Sequence, residues 1–472
     1  MTAGEWKMPS SSSLYTQLIS GALFPLHERL KGHQSVALRR ELERSQWWSA
    51  DELNVHRVRR LREFLIHAGK HVPYYRGLFG RIGFDPLKLT SLQDIAGIPL
   101  LDKQTIRANI DVLRSEGASS LTPFNTGGST GEPLTFYLTR ERVSHDVAAK
   151  WRATRWWDVD IGDPEAVIWG SPIELGGQDR IKAVRDRLLR TRLFPAFNMS
   201  AASMDAFLGG IRRMRPRMLF GYPSALALLA RHADERGVPM NDLGIRVAFV
   251  TGERLDPEQR ETISRIFGCP VANGYGGRDA GFIAHECPSG GMHLSAEDII
   301  VEVIDEGGKP QPPGTAGELV VTHLCTGDFP FLRYRTGDIG TLSTETCACG
   351  RTLPLLSEVQ GRSTDFVVAA DGTLMHGLAL IYVVRGQEGV SRFRIIQESI
   401  DRTRVELVPD GALGEEIKQR IIDGFRERLG EGVQVDVETV PEIPPERSGK
   451  YRYVISHAIS GQRHGVQPSK VP

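Results

Sequence analysis

Asn125-Thr126-Gly127-Gly128-Ser129-Thr130-Gly131-Glu132-Pro133 packs three glycines and three hydroxyl residues into nine positions. Glycine lets backbone N–H groups approach an anion closely, and Thr126, Ser129 and Thr130 add hydroxyl donors. The run has the chemistry of a phosphate-wrapping loop. It is no Walker loop, because Glu132 and Pro133 stand where the lysine would be. On its own, such a run also describes an ordinary surface turn. Its neighbours decide. Residues 134–138 read as a strand and 140–157 as a helix. Residues 166–169, 218–220 and 247–250 are short apolar runs fit for buried strands, and Ala225 to Ala230 looks helical. Two of the runs end in small-residue turns, Gly221-Tyr222-Pro223-Ser224 and Thr251-Gly252-Glu253. Strand, small-residue turn and helix in alternation predict a doubly wound α/β region. Ligands in such folds sit at the carboxyl ends of the strands, so these turns are expected to face one crevice.

Upstream, 35–44 and 49–71 read as helices. Ser49 with Glu52 three residues on forms a capping box, and Pro73 ends the run. Arg57, Arg59, Arg60 and Arg62 on the second helix read as a solvated face. The weakly amphipathic stretch 14–30 reads as core packing, with a membrane surface as the alternative. Downstream, 299–304 and 318–322 read as strands around a Gly/Pro-rich loop, which adds a β-rich subdomain. After Gly361-Arg362-Ser363 come strands over 392–397, 404–408 and 433–440, with a helix over 413–429. That makes a small α+β domain. The expected division is 1–362 and 363–472.

With 472 residues, more than one domain is expected. Lys plus Arg and Asp plus Glu both number 58. That balance argues against a nucleic-acid binder. No apolar run approaches a membrane span, and residues 1–12 lack the apolar core of a secretory signal. Five cysteines at uneven spacing do not resemble a disulfide framework, which points to a reducing cytoplasm.

Further motifs follow the first loop in order: Gly274-Tyr275-Gly276-Gly277-Arg278-Asp279 after a strand, Tyr334-Arg335-Thr336-Gly337-Asp338 at a turn, Gly361-Arg362, and Ser448-Gly449-Lys450. In this order and at these distances they resemble the adenylate-forming superfamily of acyl- and aryl-CoA ligases, most closely its phenylacetate-CoA ligase branch and the CapK-like proteins within it. The resemblance extends from about Leu38 to Ile455. It implies ATP-dependent joining of a small-molecule carboxylic acid to AMP, then transfer to coenzyme A. A carrier-protein thiol or an amine is the alternative acceptor, and an inactive zinc-bearing binding relative is the alternative from another class. It also implies a mobile C-terminal lid and leaves the oligomeric state open, a dimer included.

The resemblance assigns roles residue by residue. Thr126, Gly127, Gly128, Ser129, Thr130 and Gly131 would hold the phosphates. Gly252, Glu253, Tyr275 and Gly276 would border the nucleotide. Asp338 would accept from the ribose hydroxyls, and Arg362 would contact ribose or phosphate. Asp279 stands where most relatives carry a glutamate serving Mg²⁺. Lys450 would be the catalytic lysine of adenylation. Tyr222 and the aromatic residues near Trp169 are candidates for the acyl pocket. Separately, Cys287-x₅-His293 with Cys347-x-Cys349 offers a Cys₃His set for structural Zn²⁺, with His285 as rival fourth ligand. Similar sites occur in the resembled branch. Cys269 and Cys325 read as ordinary buried thiols.

Overall fold

The computed structural model describes residues 13–118, 120–125, 134–170, 185–196, 199–305, 307–360, 366–385, 387, 389–409, 411, 413–443 and 454–458. The phosphate-loop residues 126–131, Arg362 and Lys450 lie outside these residues.

The helix Ala50–His71 begins at the Ser49–Glu52 capping box and ends before Pro73. Pro73 then opens a second helix, Pro73–Ile82, which the sequence reading missed. A proline that stops one helix is well suited to the first turn of the next, where its missing N–H is not needed. Of the four arginines only Arg59, paired with Glu63 at 3.1 Å, stays on an exposed face as expected. Arg60 pairs with Asp298 at 3.1 Å and Glu141 at 3.2 Å, and Arg62 donates to the Leu89 carbonyl. Arg60 and Arg62 thus find carboxylate and carbonyl partners that the one-dimensional pattern cannot reveal.

Strands β1 (Thr122–Asn125) and β2 (Thr135–Leu138) form an antiparallel ribbon flanking the glycine-rich loop. The central sheet contains β3 (Glu165–Trp169), β4 (Thr191–Pro195), β5 (Met218–Gly221), β6 (Val247–Thr251), β7 (Val271–Gly277), β8 (Gly281–Glu286) and β9 (Met292–Leu294). Their spatial order is β4-β3-β5-β6-β7-β8-β9. The first five run parallel, and β8 and β9 are antiparallel additions. The chain winds outward from β3 in both directions, so the order reverses between β3 and β5, where such sheets open a crevice. β6 is buried along its whole length, as a central parallel strand must be.

A second sheet follows, with β10 (Ile299–Ile304), β11 (Ala316–His323), β12 (Phe331–Leu342) and β13 (Leu356–Gln360) in sequential antiparallel order. The Tyr334–Asp338 motif, expected at a turn, lies inside β12. Its register jumps from Val320 opposite Arg335 to Glu318 opposite Ile339, so Thr336, Gly337 and Asp338 bulge out of the ladder. Gly337 takes φ +75, which a bulge of this kind requires and glycine permits.

After the short ribbon β14 (Phe366–Val368) and β15 (Leu374–His376), the last sheet has the order β18-β17-β16-β19. Its strands are β16 (Val390–Ser399), β17 (Arg402–Pro409), β18 (Gln434–Thr439) and β19 (Val454–Ser456). Helices Leu378–Arg385 and Glu415–Leu429 pack with it around Phe393, Ile395, Leu407, Ile421 and Phe425, a core of its own. The whole is a large α/β region with an added β-rich part and a small α+β unit, as the sequence predicted. No helix among the described residues is long and apolar enough to cross a membrane.

Candidate active site and metal centre

A cleft of about 1130 Å³ opens along the carboxyl ends of β3, β5, β6 and β7. It is lined by Trp169, Tyr222, Gly252, Glu253, Tyr275, Gly276, Asp279 and Asp338, among others. The small-residue turns therefore meet at one crevice, as the alternation required.

Tyr275 leaves β7 and its hydroxyl donates to Asp338 Oδ2 at 3.1 Å. Burial, and next to it the Asp338 charge, push the Tyr275 phenol well above its ordinary value, so it remains a donor. The Asp338 N–H in turn donates to Thr336 Oγ1 at 3.1 Å, which fixes the bulge. Gly276 is dictated by space, because a Cβ there would lie 2.2 Å from the Gly281 carbonyl oxygen. Arg278 and Asp279 form the tip of the β7–β8 hairpin. Asp279 is turned inward: Oδ2 accepts from the Tyr334 hydroxyl at 2.6 Å and Oδ1 from the Ala280 N–H at 3.0 Å. At the opposite wall Trp169 and Tyr222 stack at 4.0 Å, and the Ser224 hydroxyl donates to Glu253.

Three contributors escaped the sequence reading. Arg142, Asp146 and Lys150 follow one another at four-residue steps on the helix Arg140–Arg155, and Asp146 and Lys150 line the cleft. Arg142 is fully buried. Its Nε pairs with Asp146 at 3.0 Å, and its Nη1 and Nη2 donate to the carbonyls of Asp279 at 3.1 Å and Arg278 at 3.4 Å. It thereby holds the hairpin tip in place. Lys150 Nζ lies 4.0 Å from the Phe220 ring centre and 3.0 Å from Glu165. Charges at helical spacing were the available signal.

The second cluster lies on the β8–β9 hairpin and the loop before β13. The ligand atoms of Cys287, His293, Cys347 and Cys349 all fall within 4.8 Å of one another. Cys287 Sγ is 3.5 Å from Cys347 Sγ, and Cys349 Sγ is 3.2 Å from His293 Nε2. Two thiolates on a tetrahedral zinc with bonds of about 2.3 Å stand roughly 3.8 Å apart, so the four atoms are nearly at ligand spacing. His293 Nδ1 lies 3.3 Å from the Leu353 carbonyl, the outer partner that directs the other ring nitrogen to a metal. Burial pushes the His293 imidazole down to about 4, so it is neutral and able to ligate. His285, the rival, is not in this group. It stacks on Phe282 with ring centres 5.5 Å apart.

An AMP-binding enzyme family model matches residues 187–326, and a CapK C-terminal domain model matches 367–457. Protein CapK of Staphylococcus aureus is 23% identical over 402 residues, covering 84% of this chain and 88% of that protein. Phenylacetate-coenzyme A ligase of Pseudomonas putida is 28% identical over 335 residues, covering 68% and 73%. Among solved structures, a 2-hydroxyisobutyryl-CoA ligase in complex with 2-HIB-AMP and CoA superposes with a TM-score of 0.63 at 23% identity, covering 89% of this chain and 94% of that one.

Proposed function

Because the chain is a CapK-like member of the adenylate-forming superfamily, we propose that it activates a carboxylic acid with ATP and passes the acyl group to coenzyme A. The observation that carries this reading is the Tyr275–Asp338 pair at the carboxyl edge of the central sheet. It presents an oriented carboxylate inside a cleft large enough for a nucleotide and an acid together.

In the first step a carboxylate oxygen of the acid attacks the α-phosphorus of ATP. The bond between the α- and β-phosphates breaks and pyrophosphate leaves. Asp338 accepts from the ribose hydroxyls. The backbone and hydroxyl donors of 126–131 hold the departing phosphates, and Lys450 bridges the attacking carboxylate and the α-phosphate, where negative charge builds. In the second step a thiol sulfur attacks the acyl carbon and AMP departs. Trp169, Tyr222 and Phe220 border the body of the acid. Residues 363–472 act as the lid, with Arg362 at the hinge contacting ribose or phosphate, and the reaction runs in the cytoplasm.

Mg²⁺ would neutralise phosphate charge. Asp279 fits it poorly as a direct ligand, since Tyr334 and the Ala280 N–H already engage its two oxygens. It fits better through a bridging water. Zn²⁺ fits Cys287, His293, Cys347 and Cys349, and four protein ligands leave it a structural role.

The test is product analysis by mass spectrometry with a panel of aryl, hydroxy and fatty acids, with ATP, and with coenzyme A, a carrier protein or an amine as acceptor. An acyl-CoA and AMP are expected. Transfer only to a carrier or an amine would reassign the acceptor and keep the adenylation. No product with any acid or acceptor, in folded protein that binds ATP, would contradict the ligase reading.

A further inference from the structure

Near the N-terminus the chain turns helical polarity inside out. Leu14–Leu18, Ile19–Leu23 and Phe24–Leu30 run on as one helix, the middle part a π-helical turn. A helix on a soluble protein normally buries its apolar face. Here Thr16, Ser20 and Glu28 are buried, with only Ile19 and Phe24 as apolar company. Thr16 donates to Asp163 at 2.8 Å, and Ser35 donates to Glu28. The leucines point the other way. Leu14 and Leu30 are 85% and 81% exposed, and Leu18, Leu23, Leu26 and Tyr15 are exposed as well. Of the fifteen exposed large apolar side chains among the described residues, these six lie on one stretch. The core packing expected for it from sequence is thus overturned for its leucines.

The π turn organises them. Leu14 and Leu18 are one α-turn apart. The wider turn through Ile19–Leu23 takes one residue more, which brings Leu23 back beneath Leu18. Leu26 and Leu30 then continue the row at steps of three and four. In an uninterrupted α-helix Leu23 would fall well off that line.

A basic rim borders the row. The Tyr15 hydroxyl donates to the Leu188 carbonyl at 2.8 Å, and the Arg190 guanidinium lies 5.3 Å from the Tyr15 ring centre. That neighbouring segment carries Arg185, Arg187, Arg190 and Arg192. Its one acid, Asp186, pairs with Arg185 at 2.6 Å, and Leu188 is itself exposed. On the helix, Arg29 and Lys31 are exposed while the acid Glu28 is buried. Burial, and after it the nearby Lys31 charge, hold His27 below its ordinary value, and the field of Arg185 reaches the same ring.

We infer that this face, the leucine row of residues 14–30 rimmed by Arg29, Lys31 and the arginines of 185–190, docks the protein peripherally on an anionic lipid surface. A row of apolar side chains about 25 Å long, lying flat and flanked by cations, suits the boundary between headgroups and acyl chains. No described helix is long and apolar enough to span the bilayer, so the contact is superficial. A second copy of the chain suits the face less well. A two-fold contact would set these arginines against themselves.

The test is co-sedimentation of the full chain with vesicles of phosphatidylcholine, alone and mixed with phosphatidylglycerol. Binding is expected to the mixed vesicles, at least tenfold weaker to phosphatidylcholine alone, and reduced by added salt. A variant with Leu14, Leu18, Leu26 and Leu30 all changed to Ser should lose it, keeping its thermal unfolding midpoint and its pyrophosphate exchange. Should that variant fail to fold, Arg29→Glu with Lys31→Glu and Arg187→Glu makes the same test through charge and should also abolish binding. Failure to sediment with either vesicle, or equal sedimentation by wild type and variants, would overturn the inference. So would a dimer in light scattering that dissociates on the leucine changes, which would give the face to a second copy.

Discussion

Asp338 and Tyr275 meet at 3.1 Å across the cleft, and the proposed nucleotide site depends on that contact. Removing a charged acceptor from two ribose hydroxyls should be felt mainly in ATP affinity. Asp338→Ala is expected to weaken ATP binding by about 10- to 100-fold in calorimetry, each lost hydrogen bond to a charged group costing on the order of 1.5–3 kcal/mol without strict additivity. An unchanged affinity would move the ribose site elsewhere. His323 bears on stability rather than on the nucleotide. It is fully buried; burial first, then the charges of Arg142, His145 and Arg60, hold it well below its ordinary value. Its Nδ1 accepts the Cys325 N–H at 3.3 Å, which requires the neutral ring. A depressed histidine means that the unfolded chain takes up the proton first. Stability from this group is therefore intact above the unfolded value of about 6.5 and declines as pH falls below it. The unfolding midpoint should drop between pH 6.5 and 5, and His323→Gln should flatten that drop. Equal pH profiles for the two proteins would show that other groups set the acid limb.

Among the elements, the β8–β9 hairpin and the loop at Cys347 are joined by the Leu294 N–H to Pro354 carbonyl bond at 2.9 Å, and the four ligand atoms gathered beside it would add a metal tie. About one zinc per chain is expected after dialysis. Cys347→Ser and Cys349→Ser should each lose most of the metal and lower the unfolding midpoint, because a structural site contributes its binding energy to folding. Full zinc content in both variants would show the cluster to be reduced thiols and a packed histidine. His293→Ala should behave like the cysteine variants, whereas His285→Ala should keep its zinc. This hairpin also marks how far the sequence could be read. Alternating apolar runs and small-residue turns made β3, β5 and β6 legible, since each is short, apolar and ends at a glycine, whereas the parallel edge strand β4, with Arg192 and Leu193 exposed and no glycine after it, was missed. The antiparallel β8 and β9 and the bulge in β12 were missed as well. β8 and β9 are joined by short hairpins whose glycines read only as part of a motif, and a Tyr-Arg-Thr-Gly-Asp run looks like a turn unless the facing strand is known. Arg142 was hidden for a similar reason. Its role comes from the carbonyls of Arg278 and Asp279, more than a hundred residues away. The leucines of 14–30 misled because periodicity tells which side chains share a face, not which face is buried.

For the whole molecule, the small domain has its own core, around Phe393, Ile395, Leu407 and Phe425. A unit with a separate core can move as a lid without unpacking the rest, and the CapK C-terminal domain match, 367–457, spans the position of Lys450. Lys450 should therefore serve one half-reaction and not the other. Lys450→Ala is expected to slow adenylation by about 10²–10³, as for one preorganised donor. Thioester formation from supplied acyl-adenylate and coenzyme A should hardly change, since AMP is already a good leaving group. Equal losses in both steps would give Lys450 the different task of holding the closed form together.

The central claim is that this cleft makes an acyl-adenylate. The most direct measurement is acid-dependent exchange of labelled pyrophosphate into ATP, with Mg²⁺ present and thiol absent, since it reads the first half-reaction in reverse and needs no acceptor. Label should enter ATP only when a suitable acid from the panel is added, and the exchange should fall sharply in Asp338→Ala and Lys450→Ala. Exchange that ignores the acid, or folded protein that binds Mg-ATP yet exchanges with no acid, would contradict the account.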